Sequence, residues 1–458
     1  MKPYLDILKL VWPLALGMIN NAVLQFVDRA YLAHESMASL EAALPASILA
    51  FNVLGFFHSI IAYSGTFVAQ YHGAGDSRMC RISLRAGNIL ALAFGAAALL
   101  FVPAGSFILA RFTENPEVLT RELSYYRIVT AGGVFLFLQI AAASYFTGLG
   151  KTRRVFWVNV LGNVFNAALD PILIFGLCGC PRLGIAGAAY ATVAATALQW
   201  AALMAMVAIE PKTIEPKGGD LSSPASPASS SSRLLPLIER ILRFGVPAGA
   251  YTVLNILSFT IFVFVTGRVG DVAFAVSNAC FSVNYFLFAP MEGFAIGAAT
   301  LVGQAQGRGD PEAAHKAAIR TLFLGVSFVA VISLLAVVFS RQILSLFAPD
   351  DVAVSAEFMS LGTSLFVLMA AWQVFDATDV IISGALKGAG DTKFVFWWMF
   401  IVAFGLWLPI VWAVARLGGA MEALWATMIV YVVVICIGSF IRWHKGRWRS
   451  IVVVEHTC

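Results

Sequence analysis

Charge is what this chain of 458 residues has least of: Asp, Glu, Lys and Arg together make up 12 % of it, about half the share usual in a soluble domain. So few charges cannot coat the two or three domains into which a soluble chain of this length would divide. An ordinary cytosolic enzyme and a disordered chain are therefore excluded. Cysteine is scarce too, at six. Cys178 and Cys180 form the one close pair, and a disulfide across a single residue would be strained, which excludes a disulfide scaffold. The net charge of +5 is not gathered on one soluble stretch, so a nucleic-acid partner is not expected. The N-terminus shows no A-x-A-like cleavage site and reads as a first helix, not as a removed signal.

What is abundant is apolar surface, at 60 % hydrophobic residues. One membrane span needs about 20 predominantly apolar residues, so twelve would use about 240. The sequence places spans at 10–33, 43–70, 85–110, 125–149, 155–177, 183–209, 240–266, 272–305, 317–347, 355–386, 394–415 and 418–442. Alternating the loops puts 22 Lys and Arg on the side with both termini and 8 on the other. The positive-inside rule then places both termini in the cytoplasm.

Residues 210–236 are rich in Ser, Pro and Gly and carry no apolar face. They read as a flexible cytoplasmic linker. The chain divides accordingly into an N-terminal lobe at 1–209 and a C-terminal lobe at 237–458, each with six spans. The lobes repeat. Gln70, Gly73, Gly75 and Asp76 recur as Gln304, Gly307, Gly309 and Asp310 at an offset of 234, and Pro13 recurs as Pro247. Gly148-Leu149-Gly150-Lys151-Thr152 recurs as Gly388-Ala389-Gly390-Asp391-Thr392. Six spans per lobe is even, so the repeat is parallel, about a pseudo-two-fold axis along the membrane normal. Such repeats mark transporters. Gly148 to Thr152 is no P-loop, because the required upstream glycine is Tyr145 and no strand precedes it.

Ionisable groups at membrane depth are costly and point to function. They are Asp28 in span 1, Asp170 in span 5, Glu292 in span 8, and Asp376 and Asp379 in span 10. No intramembrane Lys or Arg stands near them in sequence to form a simple ion pair. Asn159, Asn163, Asn166 and Asp170 follow spacings of 4, 3 and 4, which puts them on one helical face. Such a stripe must face the bundle interior or a water-filled cavity. Interhelical hydrogen bonding could use the asparagines, but it does not need a carboxylate.

These residues carry a resemblance that runs over nearly the whole length. Trp12-Pro13, Phe26-Val27-Asp28, the paired Gln-x-x-Gly-x-Gly-Asp blocks and Gly148 to Thr152 belong to it. So do Asn166 to Pro171, Gly184 to Thr192, and Asp376 ahead of Gly384 to Gly388. In this order the chain resembles a MATE (multidrug and toxic compound extrusion) transporter. The resemblance implies an all-α polytopic protein with two six-helix lobes around a cavity that opens alternately to each side. It implies export of cationic or amphipathic organic compounds by antiport with H⁺ or Na⁺, with no enzymatic step and no cofactor. The expected setting is a monomer in a bacterial inner membrane.

The resemblance also implies a cation site in the N-terminal lobe at Asp28, Asn166, Asp170 and Thr192, and a bend in helix 1 at Pro13. Asp, Asn and Thr supply the hard oxygens that Na⁺ prefers. Two aspartates held close in a partly dry cavity cannot both stay charged cheaply, which suits H⁺ equally. The chain departs from the family where some members carry a Glu in span 7. Asn255 stands there, so a C-terminal substrate or cation site would rest on Asp376, with Glu292 as the stand-in. A flippase for lipid-linked or amphipathic substrates, of related architecture, is the alternative. The acidic cavity residues favour cationic cargo over it.

Overall fold

The computed structural model describes residues 2–210, 228–347 and 352–454. All regular structure among them is helical, and twelve helices are long and apolar enough to cross a membrane. We number these α1 (Pro3–Glu35), α2 (Met37–Gly73), α3 (Ser77–Phe112), α4 (Pro116–Gly148), α5 (Thr152–Phe175), α6 (Ile185–Ile209), α7 (Arg233–Thr266), α8 (Asp271–Gly307), α9 (Pro311–Val338), α10 (Ser355–Gly388), α11 (Thr392–Arg416) and α12 (Met421–His444). Each coincides with one of the twelve expected spans. The ninth ends early, at Val338, and a separate short helix follows at Ser340–Leu344. Helical backbone ahead of α7 begins at Ala228, inside the segment whose Ser-rich composition reads as linker. Residues 211–227 of that segment lie outside the described residues.

The repeated motifs have a structural reading. Gly75 and Gly309 adopt φ of +78° and +72°, a left-handed backbone that only glycine adopts at little cost. The aspartate after each one caps the next helix. Asp76 accepts from Met79 N–H and Asp310 from Ala313 N–H, both at 2.8 Å, satisfying donors that the first helical turn leaves unpaired. Gly148 and Gly388 serve a different end. A methyl on Gly148 would lie 2.7 Å from the Gly65 carbonyl oxygen, and one on Gly388 would lie 2.3 Å from that of Ala299. Small residues here let α4 approach α2, and α10 approach α8, backbone to backbone.

By contacts the chain separates into two compact units. One comprises Met1–Met18, Ala250–Val302 and Asp310–Val452; the other comprises Ile19–Gly249, Gly303–Gly309 and Val453–Cys458. The chain-order division at residues 209 and 237 is therefore crossed by the first half of α1 and the first turns of α7. Helix α1 runs without interruption through Pro13, which is buried and withholds one helical N–H. An apolar core of the first unit gathers Phe262, Phe366, Trp372, Trp407 and Trp425. Within it α11 contains a π-helical turn, Ile401–Trp407.

Candidate functional site

In the second unit, α1, α5 and α6 deliver four polar side chains to one place. Asp28 comes from α1, Asn166 and Asp170 from successive turns of α5, and Thr192 from α6. Asn166 is the keystone. With its amide nitrogen toward the carboxylates it donates to Asp28 Oδ1 and Asp170 Oδ2, each at 3.2 Å, and its oxygen accepts from Thr192 N–H at 3.0 Å. This orientation follows from the donors and acceptors around it. Asp28 and Asp170, bridged by that amide, are near enough to act on each other electrostatically. Asp170 is fully buried, yet its Oδ1 meets no donor among the described residues. An anionic oxygen in that position is costly unless a proton or a cation reaches it.

The stripe on α5 continues away from this cluster. Asn163 Nδ2 donates to Asn21 Oδ1 of α1 at 3.0 Å, and Gln199 Nε2 of α6 donates to Asn163 Oδ1 at 3.4 Å. Gln139 Nε2 of α4 donates to Asn159 Oδ1 at 3.3 Å. Periodicity predicts the α5 side of this stripe. It does not reveal Gln139 or Gln199, each the one amide of its span, whereas Asn21 shares with Gln25 and Asp28 of α1 the spacings of 4 and 3 that mark a helical face.

The first unit holds a second set. Asp376 of α10 lies in the electrostatic field of Asp379 and of Glu292 on α8. Ser383 Oγ donates to Asp379 Oδ1 at 3.3 Å. Asn255 of α7 is one step removed: its Nδ2 reaches the hydroxyl of Tyr251 at 3.5 Å, and Tyr251 in turn faces Asp379 and Glu292. The sequence expectation that no basic residue accompanies these acids is overturned. Lys387 of α10 acts on both Glu292 and Asp379, and its Nζ sits 3.9 Å above the Tyr251 ring centre. Counted as a loop cation from sequence, it stands eight residues after Asp379. That is about two helical turns, close enough for α10 alone to bring it near the acids.

A family model described as MatE matches residues 13–172 and 247–413 of the chain. Among curated proteins, the chain is 26 % identical over 416 residues to the probable multidrug resistance protein NorM of Bradyrhizobium diazoefficiens, covering 90 % of this chain and 86 % of that one. It is 27 % identical over 390 residues to the protein of the same name from Rhodopseudomonas palustris, covering 85 % and 80 %. Among solved structures, it superposes with a TM-score of 0.83 on a multidrug resistance MATE family transporter of the MOP superfamily in an outward-facing conformation. That match covers 97 % of this chain and 96 % of the other at 18 % identity, a likeness of fold.

Proposed function

The chain belongs to the MATE family of transporters, and from that premise we propose that it exports cationic or amphipathic organic compounds by alternating access, in antiport with H⁺ or Na⁺. The observation that carries this reading is the Asn166 amide bridging Asp28 and Asp170 beside Thr192. Two carboxyl groups sharing one amide are stable in this arrangement only while a proton or cation offsets the second carboxylate. Loss of that charge leaves the pair repelling across α1 and α5. Arrival of H⁺ or Na⁺ therefore favours one packing of α1, and departure favours another. To shift a two-state equilibrium from 1:99 to 99:1, the ion must favour one state by about 5.5 kcal/mol. A buried carboxylate pair is a group capable of that.

The names of the relatives support a drug-like cargo, and the acids of the first unit give a cationic cargo a counter-charge. In this reading Asp376 and Glu292 meet the substrate, with Asn255 placing Tyr251. The protein acts as a monomer in the inner membrane, with both termini in the cytoplasm and lobes at 1–209 and 237–458. The test is efflux of a cationic dye from proteoliposomes under an imposed H⁺ gradient and, separately, a Na⁺ gradient. One gradient drives efflux, and Asp28→Asn abolishes it. Efflux that survives Asp28→Asn removes the coupling role from this pair. If neither gradient moves dye, the export reading fails, and lipid translocation by the same protein becomes the reading to test.

A further inference from the structure

Asp170 lies near one end of α5. It is 18 residues from Thr152, about 27 Å along the axis, and only five residues from Phe175. An ion at the Asp28–Asp170 pair thus has a short way to the Phe175 face and a long one to the Lys151 face. Nothing polar is needed on the short side. On the long side, the hydrocarbon core of about 30 Å must be crossed.

The amide stripe covers the part of that side next to the pair. From Asp170 back to Asn159 is 11 residues, about 16 Å. Three other helices add amides to it: Asn21 from α1, Gln139 from α4 and Gln199 from α6. The site is built to admit them. A methyl on Gly162 would stand 2.2 Å from Gln199 Nε2, so glycine at that position of α5 makes the room Gln199 occupies. Simple interhelical glue would close its hydrogen bonds on itself. These amides do not. The amide hydrogens of Asn159 and Asn21 have no protein acceptor among the described residues; the Asn159 nitrogen is not sealed from a water-sized molecule, and Asn21 is exposed. At the head of the stripe stands Asp170 Oδ1, buried and without a donor among the described residues.

We propose that Asn159, Asn163, Asn21, Gln139 and Gln199 form the hydrophilic passage by which the coupling ion moves between the Asp28–Asp170 pair and the Lys151 face. This rests on the reading of that pair as the ion site. Amide oxygens replace part of the hydration of a hard cation, and amides holding a water file provide relay partners for a proton. The passage contains no fixed charge, so it neither traps the ion nor repels it. Apolar, exposed neighbours on the same helix, such as Val164 at 63 % exposure, lie off the stripe.

The experiment uses the full chain in right-side-out and inverted vesicles, with its native cysteines replaced. Asn159→Cys, Asn163→Cys and Val164→Cys are each exposed to a membrane-impermeant cationic thiol reagent from one face at a time. The stripe cysteines react from the Lys151 face at least about tenfold faster than the Val164 one, because only a water-filled path brings a charged reagent to membrane depth. Labelling no faster than at Val164, or labelling from the Phe175 face alone, overturns the proposal. Asn159, at the wider end of the stripe, carries the test if the Asn163 variant folds poorly. The outcome is independent of coupling. Should Asp28→Asn leave gradient-driven efflux intact while the stripe still reacts, the pair loses its role and the water path stands without its ion.

Discussion

Gly307 lies so close to Gln70 that a methyl group on it would stand 1.9 Å from the Gln70 carbonyl oxygen, and Gly73 returns the contact with a methyl 2.0 Å from the carbonyl of Gln304. The two copies of the Gln-x-x-Gly motif thus meet one another, each glycine against the other's glutamine backbone. Gln304 Nε2 adds a bond to the Gly148 carbonyl at 2.8 Å. The repeat found in the sequence is, in the structure, a reciprocal contact.

Gly307→Ala is therefore expected to disfavour this packing by more than the roughly 1–3 kcal/mol of ordinary overpacking, since the obstacle is backbone. Efflux falls at least about tenfold as the population leaves this state. Gly309→Ala is the control. A methyl there meets nothing within 4 Å, and its cost of about 1–2 kcal/mol comes from the left-handed backbone alone. Comparing dye efflux with thermal melting separates the two. Equal loss of efflux in both variants at equal melting temperature would refute a role for the contact.

Asn166→Leu keeps the volume of the site and removes the amide that bridges Asp28 and Asp170. Gradient-driven efflux is expected to fall by about the hundredfold that loss of a bridging hydrogen-bond donor to charged groups entails, about 2.7 kcal/mol. Thr192→Val distinguishes the ions. It deletes a hydroxyl oxygen but leaves the backbone N–H that holds Asn166. Half-saturation by Na⁺ should rise about tenfold if that oxygen is a ligand, while proton-driven efflux is unchanged. Titrating efflux against Na⁺ and against pH checks both.

Lys387 offsets Glu292 and Asp379, so Lys387→Met leaves two acids uncompensated and should destabilise the protein. Adding Glu292→Gln should recover part of the loss, with a coupling of about 0.5–3 kcal/mol between the two changes. The four-variant cycle of melting temperatures measures it. Strict additivity would mean that Lys387 and Glu292 do not act on each other.

The fold was legible because apolar runs of membrane length are hard to mistake, and the cation pair because Asn166 and Asp170 fall one helical turn apart within a periodic stripe. The gaps have physical causes. Lys387 sits where α10 meets the loop, and counting charges by loop assigns it to water, although its long side chain folds back over Tyr251. Gln139 and Gln199 are single amides on otherwise apolar helices, Asn21 stands in a polar run of α1 with Gln25 and Asp28, and the convergence of all three exists only once four helices are assembled. The π-helical turn at Ile401–Trp407 inserts no Pro or Gly pair that a sequence could betray. Helix ahead of α7 begins within a serine-rich stretch, where composition argues for coil but continuation of a long helix prevails.

The last prediction concerns the end of the α5–α6 hairpin. Lys151 Nζ donates to Glu210 Oε1, and Arg154 Nη1 donates to the same oxygen at 2.9 Å. Partial burial tends to raise the Glu210 carboxyl, but the hydrogen bonds and charges of Lys151 and Arg154 outweigh it and hold the group below its ordinary value of 4.5. A carboxyl lowered on folding binds its proton more readily in the unfolded chain. Its contribution is thus complete above pH 4.5 and is lost as the pH falls through the lowered folded value. Both basic partners are well exposed, at 39 % and 43 %, so solvent screening limits the effect to about 1 kcal/mol or less. Glu210→Gln should melt below the wild type at pH 7, and the gap should narrow as the pH drops below 4.5. A gap that stays constant down to the lowest pH at which both variants fold would show that the carboxylate charge contributes nothing there.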